Sequence, residues 1–374
     1  MTWPKPEALV AGFVDHHAHL LKSAGGIPYP WEGTTVRAFH ERVWRAGSTP
    51  MDVPEPASAD SLDALADRLC DGLAMAAAVG LVEITEMGMR DWSYLDALTS
   101  LSKRGPLPAR VRLYLASGLA EEAGIAELAS RRADVGPWVR LDGIKFYADG
   151  WLVPRTCAVC RDFDDAEGNG LMFTDARTLA GRIEPFIADG WRIATHAIGD
   201  RAVQAVLDGY ELAWGNDPRA IAAAKPRIEH ASVLSADLMA RIVELGVWAC
   251  IQPSFAVTDA SQVPRALGEY RAATAYPWAA LAASGAHILV GTDYPIEVLD
   301  PLVGLARLVN GRSERPGFGT EGTAPEHSRL SLEQAISLSS DDMAGVTELS
   351  ADPTMVGPAD LDQIDVLGTA PAPF

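Results

Sequence analysis

Eight short apolar, β-branched runs recur along this chain of 374 residues. In order they read AGFVDHH (11–17), GLVEIT (80–85), RVRLYLA (110–116), LDGIKFY (141–147), WRIATH (191–196), PRIEH (226–230), GVWACIQ (246–252) and HILVGTD (287–293). Segments of helical periodicity lie between them, among them SADSLDALADRLCDGLAMAAAV (58–79), DARTLAGRIEPFIAD (175–189) and SADLMARIVELG (235–246). Ser235 and Asp175 stand where a helix N-cap belongs, and Gly246 and Gly285 where helices end. Eight strand-like runs alternating with helices predict an α/β protein built as a (β/α)8 TIM barrel. A doubly wound sheet alternates too, but usually carries a G-x-G-x-x-G turn after its first strand, and none occurs here.

The polar residues of these runs gather at their ends. Asp15, His17 and His19 close the first, Glu83 and Glu86 the second, and Lys145 the fourth. His196 closes the fifth, His230 the sixth and Asp293 the eighth. A barrel brings all those ends to one face, where the catalytic sites of such barrels lie, whereas an open sheet strings them along a line. The pattern predicts one barrel over residues 11–345 and a tail over 346–374. Loops rich in Pro and Gly at Gly25–Pro56, Thr156–Gly170 and Arg312–Pro325 read as lids or substrate walls rather than linkers.

Composition narrows the partners. Lys plus Arg number 31 against 50 Asp plus Glu, a formal charge of −19 that repels phosphate backbones and anionic bilayers. Neither nucleic acid nor a membrane is an expected partner; a small-molecule substrate is, and a homodimer is left open. Cys70, Cys157, Cys160 and Cys250 are too few and too scattered for a secreted disulfide framework. The N-terminal stretch lacks a basic n-region, and no apolar run approaches the ~20 residues of a membrane span. A cytoplasmic location is expected.

The strand ends carry the chemistry. Residues i and i+2 of a strand share a side, so His17 and His19 can reach one ion. An HxH pair is common by chance; Lys145, His196, His230 and Asp293 at later strand ends turn it into a set. His16 faces away by alternation and reads as structural, while His40, His287 and His327 read as ordinary packing or surface. A lysine inside an apolar strand is costly to bury as an ammonium. Either Asp142 or Asp149 pairs with Lys145, or its amine takes up CO2 to form a carbamate whose two oxygens bridge two ions. Asp293 would then bind one ion and take the proton of the attacking water.

The order HxH, Lys, His, His, Asp at strand ends resembles the amidohydrolase superfamily. GFVDHHAHL, DGIKFYADG, THAIGDRAVQAVLDGYE, RIEHASVLS and GTDYPIEVLDPLVGL narrow the resemblance to the YtcJ-like, or amidohydrolase-3, branch, which includes N-substituted formamide deformylases. The resemblance implies two divalent ions, usually zinc. His17 and His19 would hold the more buried ion, His196 and His230 the second, and carboxylated Lys145 would bridge them. Asp293 would be both ligand and general base. It further implies hydrolysis of a C–N bond in an amide, N-acyl, N-formyl or cyclic amide by a metal-bridging hydroxide. A mononuclear hydrolytic deaminase, which needs no lysine, is the alternative within enzymes; a non-catalytic barrel binding protein is the alternative outside them.

The chain departs from that branch at three points. Only eleven residues precede Gly12, so the small β-sandwich module of the branch is expected to be absent or reduced to a remnant around Ala359–Val366. About sixty residues separate His19 from the second run, less than the long insertion of the branch. The turn after the lysine run reads Asp149-Gly150-Trp151-Leu152 where a Gly-Ser turn is usual, so Trp151 should reshape the pocket. Arg155 is expected either to hold a substrate carboxylate or carbonyl or to sit in a surface ion pair; Trp31, Tyr147, Trp151 and Tyr294 read as packing by default and as an aromatic wall in the alternative. Glu229 and Asp200 flank ligands and are expected to orient an imidazole. Cys157-x-x-Cys160 reads as a reduced loop pair, and Ser254 has no partners for serine chemistry.

Overall fold

The computed structural model describes residues 8–21, 61–315 and 322–374; the Gly25–Pro56 loop, with Trp31 and His40, lies outside them. Eight strands follow one another: β1 Ala8–Ala18, β2 Leu81–Met89, β3 Arg110–Ala116, β4 Val139–Tyr147, β5 Arg192–Ala197, β6 Arg227–His230, β7 Trp248–Ile251 and β8 His287–Val290. Each pairs in parallel with the next, and helices fill the connections. Strands covered on both faces read as near-continuous apolar runs, and β2 is buried at all nine positions. The expected caps form: the Ser235 hydroxyl accepts from Leu238 N–H at 3.3 Å and the Asp175 carboxylate from Thr178 N–H at 2.7 Å.

Two strands differ in length from the runs that announce them. β2 continues four residues beyond Thr85, through Glu86 and Gly88 to Met89. Glu83 therefore occupies its third position, where it pairs with Arg110 and, at 3.1 Å, with Arg112. Arg112 also donates to Asp142 at 2.8 Å, so Glu83 belongs to a buried ion lattice beside the strand starts. β8 is shorter than its run and stops at Val290, which puts Asp293 in the turn that follows.

β1 and β8 form no ladder; the sheet order ends at β8. The seam is joined at its top, where Asp293 N–H donates to the His17 carbonyl at 2.6 Å and His19 N–H to the Tyr294 carbonyl at 2.7 Å. The Asp15 carboxylate reinforces it by accepting from Thr292 N–H at 3.0 Å and from the Thr292 hydroxyl at 2.5 Å. Gly291 makes this approach feasible, because a Cβ there would lie 2.5 Å from His17 N and 2.6 Å from its Cβ.

The N-terminal half of β1 serves a second purpose. From Ala8 to Phe13 it pairs antiparallel with β9, Ser340–Leu349, and β10, Val366–Pro371, adds to β9. The boundary expected after residue 345 falls inside β9. Within the remnant expected around Ala359–Val366 lies a 3-10 turn, Pro358–Gln363, and the strand begins at Val366. Among the described residues the accessory module is this antiparallel extension, continuous with the barrel sheet. It ends with Phe374, whose ring lies 4.5 Å from the Arg110 guanidinium and 5.1 Å from that of Arg112.

Candidate metal centre

The strand-end residues converge as a barrel requires. His17 and His19 lie at the end of β1 with ring centroids 5.4 Å apart, and both are buried. The His230 ring stands 5.0 Å from that of His17 and 4.5 Å from that of His196. Asp293 Oδ1 is 3.2 Å from His19 Nε2 and 3.4 Å from His17 Nε2. His17, His230 and Asp293 each offer one ligand atom, and these atoms all lie within 4.8 Å of one another.

This convergence requires unusual backbone. By strand alternation His230 would face the same way as Ile228, which packs in the main hydrophobic core. His230, Ala231 and Asp293 instead take left-handed φ values of 76°, 44° and 59°. Such conformations cost about 1–3 kcal/mol each in non-glycine residues and gather where a site over-determines them.

Each of three imidazoles presents one nitrogen to an acceptor, and His17 and His230 each offer a ligand atom to the centre. His17 Nδ1 meets Glu229 Oε2 at 2.5 Å, His230 Nδ1 meets Gln252 Oε1 at 2.8 Å, and His196 Nε2 meets the Gly150 carbonyl at 2.9 Å. Gln252 is held with its oxygen toward His230 because its amide nitrogen donates to the Cys250 carbonyl at 3.1 Å. The partners only accept, so the facing nitrogen carries the proton and the opposite one keeps its lone pair, as a metal ligand must. Burial keeps two of the rings neutral: it lowers His196 to about 3, helped by Lys145, and holds His230 well below the ordinary histidine value.

Lys145 is 1% exposed, and its Nζ has no hydrogen-bond partner among the described residues. Neither Asp142 nor Asp149 neutralises it. Asp142 pairs with arginines, and Asp149 accepts from the backbone N–H groups of Ala158, Ile198 and Gly199 at 2.9, 3.0 and 2.8 Å. Burial lowers the Lys145 amine to about 8, against the pull of Glu229 and Asp293. Burial likewise pushes the Asp293 carboxyl well above the usual range, although the Lys145 charge opposes the rise. Neutral imidazoles, a carboxyl that resists ionisation and an unpartnered buried amine fit a cation site. The donor types suit zinc, manganese or iron.

The expected pocket residues divide. Tyr147 is half-buried with its ring 5.2 Å from that of His196, and Lys145 Nζ stands 5.3 Å from the Tyr147 centroid. Trp151 packs 6.1 Å from Phe255, whose ring lies 6.0 Å from His230. Phe255 follows Ser254 just after β7 and bears no polar signal, so the sequence reading passed over it. The Tyr294 carbonyl closes the barrel seam. Arg155 is spent elsewhere: its guanidinium donates to Asp165 at 2.7 and 2.6 Å and to the Leu152 and Val153 carbonyls. Of the two expectations for Arg155, the ion pair is the one the structure shows. Asp200 does not reach an imidazole but accepts from Cys160 N–H at 2.8 Å; Asp149, at 3.6 Å, is the carboxylate beside His196. Cys157 is buried, Cys160 exposed, and both are free thiols. His287 stacks on Trp248 at the start of β8, away from the centre.

A parallel barrel of eight strands with histidines, lysine and aspartate at its strand ends defines the architecture of metal-dependent hydrolases. The comparisons agree on the fold. An uncharacterized metal-dependent hydrolase from Pyrococcus furiosus superposes with a TM-score of 0.67 at 21% identity, covering 97% of this chain and 85% of its own. One from Pyrococcus horikoshii OT3 gives 0.71 at 18%, covering 94% and 88%. Family and sequence relatives go further. The amidohydrolase family model matches residues 45–352, and the chain belongs to that family. The putative amidohydrolase YtcJ of Bacillus subtilis (strain 168) is 31% identical over 253 residues, 63% of this chain but only 46% of that relative. Among the described residues no helix is long and apolar enough to cross a membrane.

Proposed function

We propose that this chain is a metal-dependent hydrolase that cleaves a C–N bond in a small amide, N-acyl, N-formyl or cyclic amide. The observation that carries the reading is the gathering of His17, His230 and Asp293 ligand atoms within 4.8 Å, with the unpartnered amine of Lys145 buried nearby. His17 and His19 would hold one ion, His196 and His230 a second, with Lys145 as a carbamate between them and Asp293 as a further ligand. When bound, the ions supply Lewis acidity and bring water to a nucleophilic state near neutral pH.

The chain's own residues do the rest. Asp293 lies 3.2 Å from His19 Nε2 and is anchored through its N–H to the His17 carbonyl, so its carboxylate can accept a proton from water at the centre and return it to the leaving nitrogen. Tyr147 and Phe255 flank His196 and His230 with rings, and Trp151 backs Phe255, which favours a flat or apolar group beside the scissile bond.

The mononuclear deaminase reading keeps one observation: the ligand atoms of His17, His230 and Asp293 gather without Lys145. Metal analysis of protein loaded with zinc separates the two, at two ions per chain against one. A panel of N-formyl, N-acyl and cyclic amides then tests the reaction. Absence of stoichiometric metal, or of hydrolysis across the panel by metal-loaded protein, would overturn the proposal.

A further inference from the structure

Strand β6 is four residues long and does two jobs. Arg227 and Glu229 alternate with Ile228, so both project to one side while Ile228 packs in the hydrophobic core. Glu229 is completely buried, and its Oε2 sits 2.5 Å from His17 Nδ1. Arg227, 4% exposed, grips both oxygens of that carboxylate: its Nε meets Oε1, and its Nη2 donates to Oε2 at 3.0 Å. The same Nη2 donates to the His16 carbonyl at 2.7 Å.

One guanidinium therefore holds both the backbone just before His17 and the carboxylate that receives the His17 ring. The contact bridges strands that are not neighbours, since β1 pairs only with β2 and β9. No ladder sets the distance between His17 on β1 and His230 on β6. A fully buried ion pair is weak evidence for stability, because removing two charges from water offsets most of their attraction. The placement of the pair is better explained by what the carboxylate touches.

We propose that Arg227 and Glu229 are the positioning pair of the metal centre. Glu229 holds the His17 imidazole as its Nδ1–H tautomer with Nε2 toward the ion, and Arg227 fixes the carboxylate and the β1 backbone beneath it. A carboxylate behind a ligand imidazole also raises that ligand's basicity, and losing such a partner typically weakens metal binding about 10–100-fold. The inference rests on His17 being a metal ligand, as proposed above.

The test measures cobalt(II) and zinc(II) affinity by competition with a chromophoric chelator, the visible spectrum of the cobalt form, and thermal melting of the metal-free protein. Glu229→Gln alone would strand a buried guanidinium, so the main variant combines it with Arg227→Met. Affinity should fall about 10–100-fold and the cobalt bands should shift, while the metal-free melting temperature stays at or above that of the wild type. Arg227→Lys is the second variant. It keeps the buried charge but loses the fork that reaches both Glu229 and the His16 carbonyl, and should weaken binding several-fold.

Wild-type affinity and spectrum in both variants would overturn the proposal, as would a loss of melting temperature with affinity intact. His17→Ala separates this failure from that of the underlying reading. If His17→Ala weakens binding and the pair variants do not, the positioning role fails alone. If His17→Ala changes nothing, His17 is no ligand and both readings fall.

Discussion

Gly291→Ala adds one methyl group at the barrel seam and should be expensive. The new Cβ would stand 2.5 Å from His17 N, 2.6 Å from its Cβ and 2.9 Å from its Cα, all of them atoms that cannot swing aside. Carbon contacts are comfortable at about 3.5–4.0 Å, so the seam must open by about 1 Å. The bonds from Asp293 N–H to the His17 carbonyl and from His19 N–H to the Tyr294 carbonyl, now 2.6 and 2.7 Å, would then pass out of bonding range. Overpacking of about 1–3 kcal/mol and two lost hydrogen bonds of about 0.5–1.5 kcal/mol each give about 2–6 kcal/mol.

At about 2.1 cal/mol/K per residue, a chain of this length has an unfolding entropy near 0.8 kcal/mol/K, so the melting temperature should drop by about 3–8 °C. The same opening displaces His17 and Asp293, so metal affinity should fall with stability. Calorimetry and chelator competition read both. Gly304→Ala is the control: it lies in the helix Pro301–Asn310, its nearest neighbour to a new Cβ is 4.0 Å away, and it should stabilise slightly. A Gly291→Ala protein that melts within about 1 °C of the wild type and keeps its metal would refute the reasoning.

Asp293→Asn should keep most of the bound metal and lose at least about 100-fold in turnover, the usual range for a general base; near-normal turnover would remove that role. Lys145 at about 8 leaves about one amine in ten neutral at pH 7, against about one in 2,500 for an ordinary lysine. Only the neutral amine attacks CO2, so at a fixed concentration of dissolved CO2 activation should accelerate from pH 7 to 8.5, and Lys145→Ala should abolish it; a flat response at constant CO2 would argue against the carbamate. Because burial depresses this lysine, its folded form holds fewer protons than the unfolded chain, and its contribution to stability grows between about pH 8 and 10.4. Asp149→Ala strands three backbone N–H groups and should lower melting and loosen His196, whereas wild-type melting would show that the three hydrogen bonds contribute nothing net.

The catalytic face of the barrel was legible because polar residues interrupt apolar runs, and such interruptions have few explanations away from a site. His17, His19, His196, His230 and Asp293 all came together from that signal. Pairings distant in sequence left no such mark. β9 carries Asp, Glu and Gly in place of an apolar run, and its conformation is fixed by pairing with β1, more than three hundred residues away. The continuation of β2 through Glu86 and Gly88 was hidden for the same reason: β-propensity is low there, and neighbours on both sides override it. The fate of Arg155 turned on Asp165, ten residues along the same loop. The role of Glu229 was suggested by its place beside His230, but its target on β1 depends on the width of the barrel, which no local pattern records.

β6 leaves no room for drift. Its side chains alternate, so sliding the strand by a single position would point Arg227 and Glu229 outward and Ile228 inward, exchanging the ion pair for a hydrocarbon in one step. A barrel can absorb insertions in its loops and even lengthen β2, but this strand counts in whole residues. Its length is a ruler, and the distance it measures is the one between the two halves of the centre.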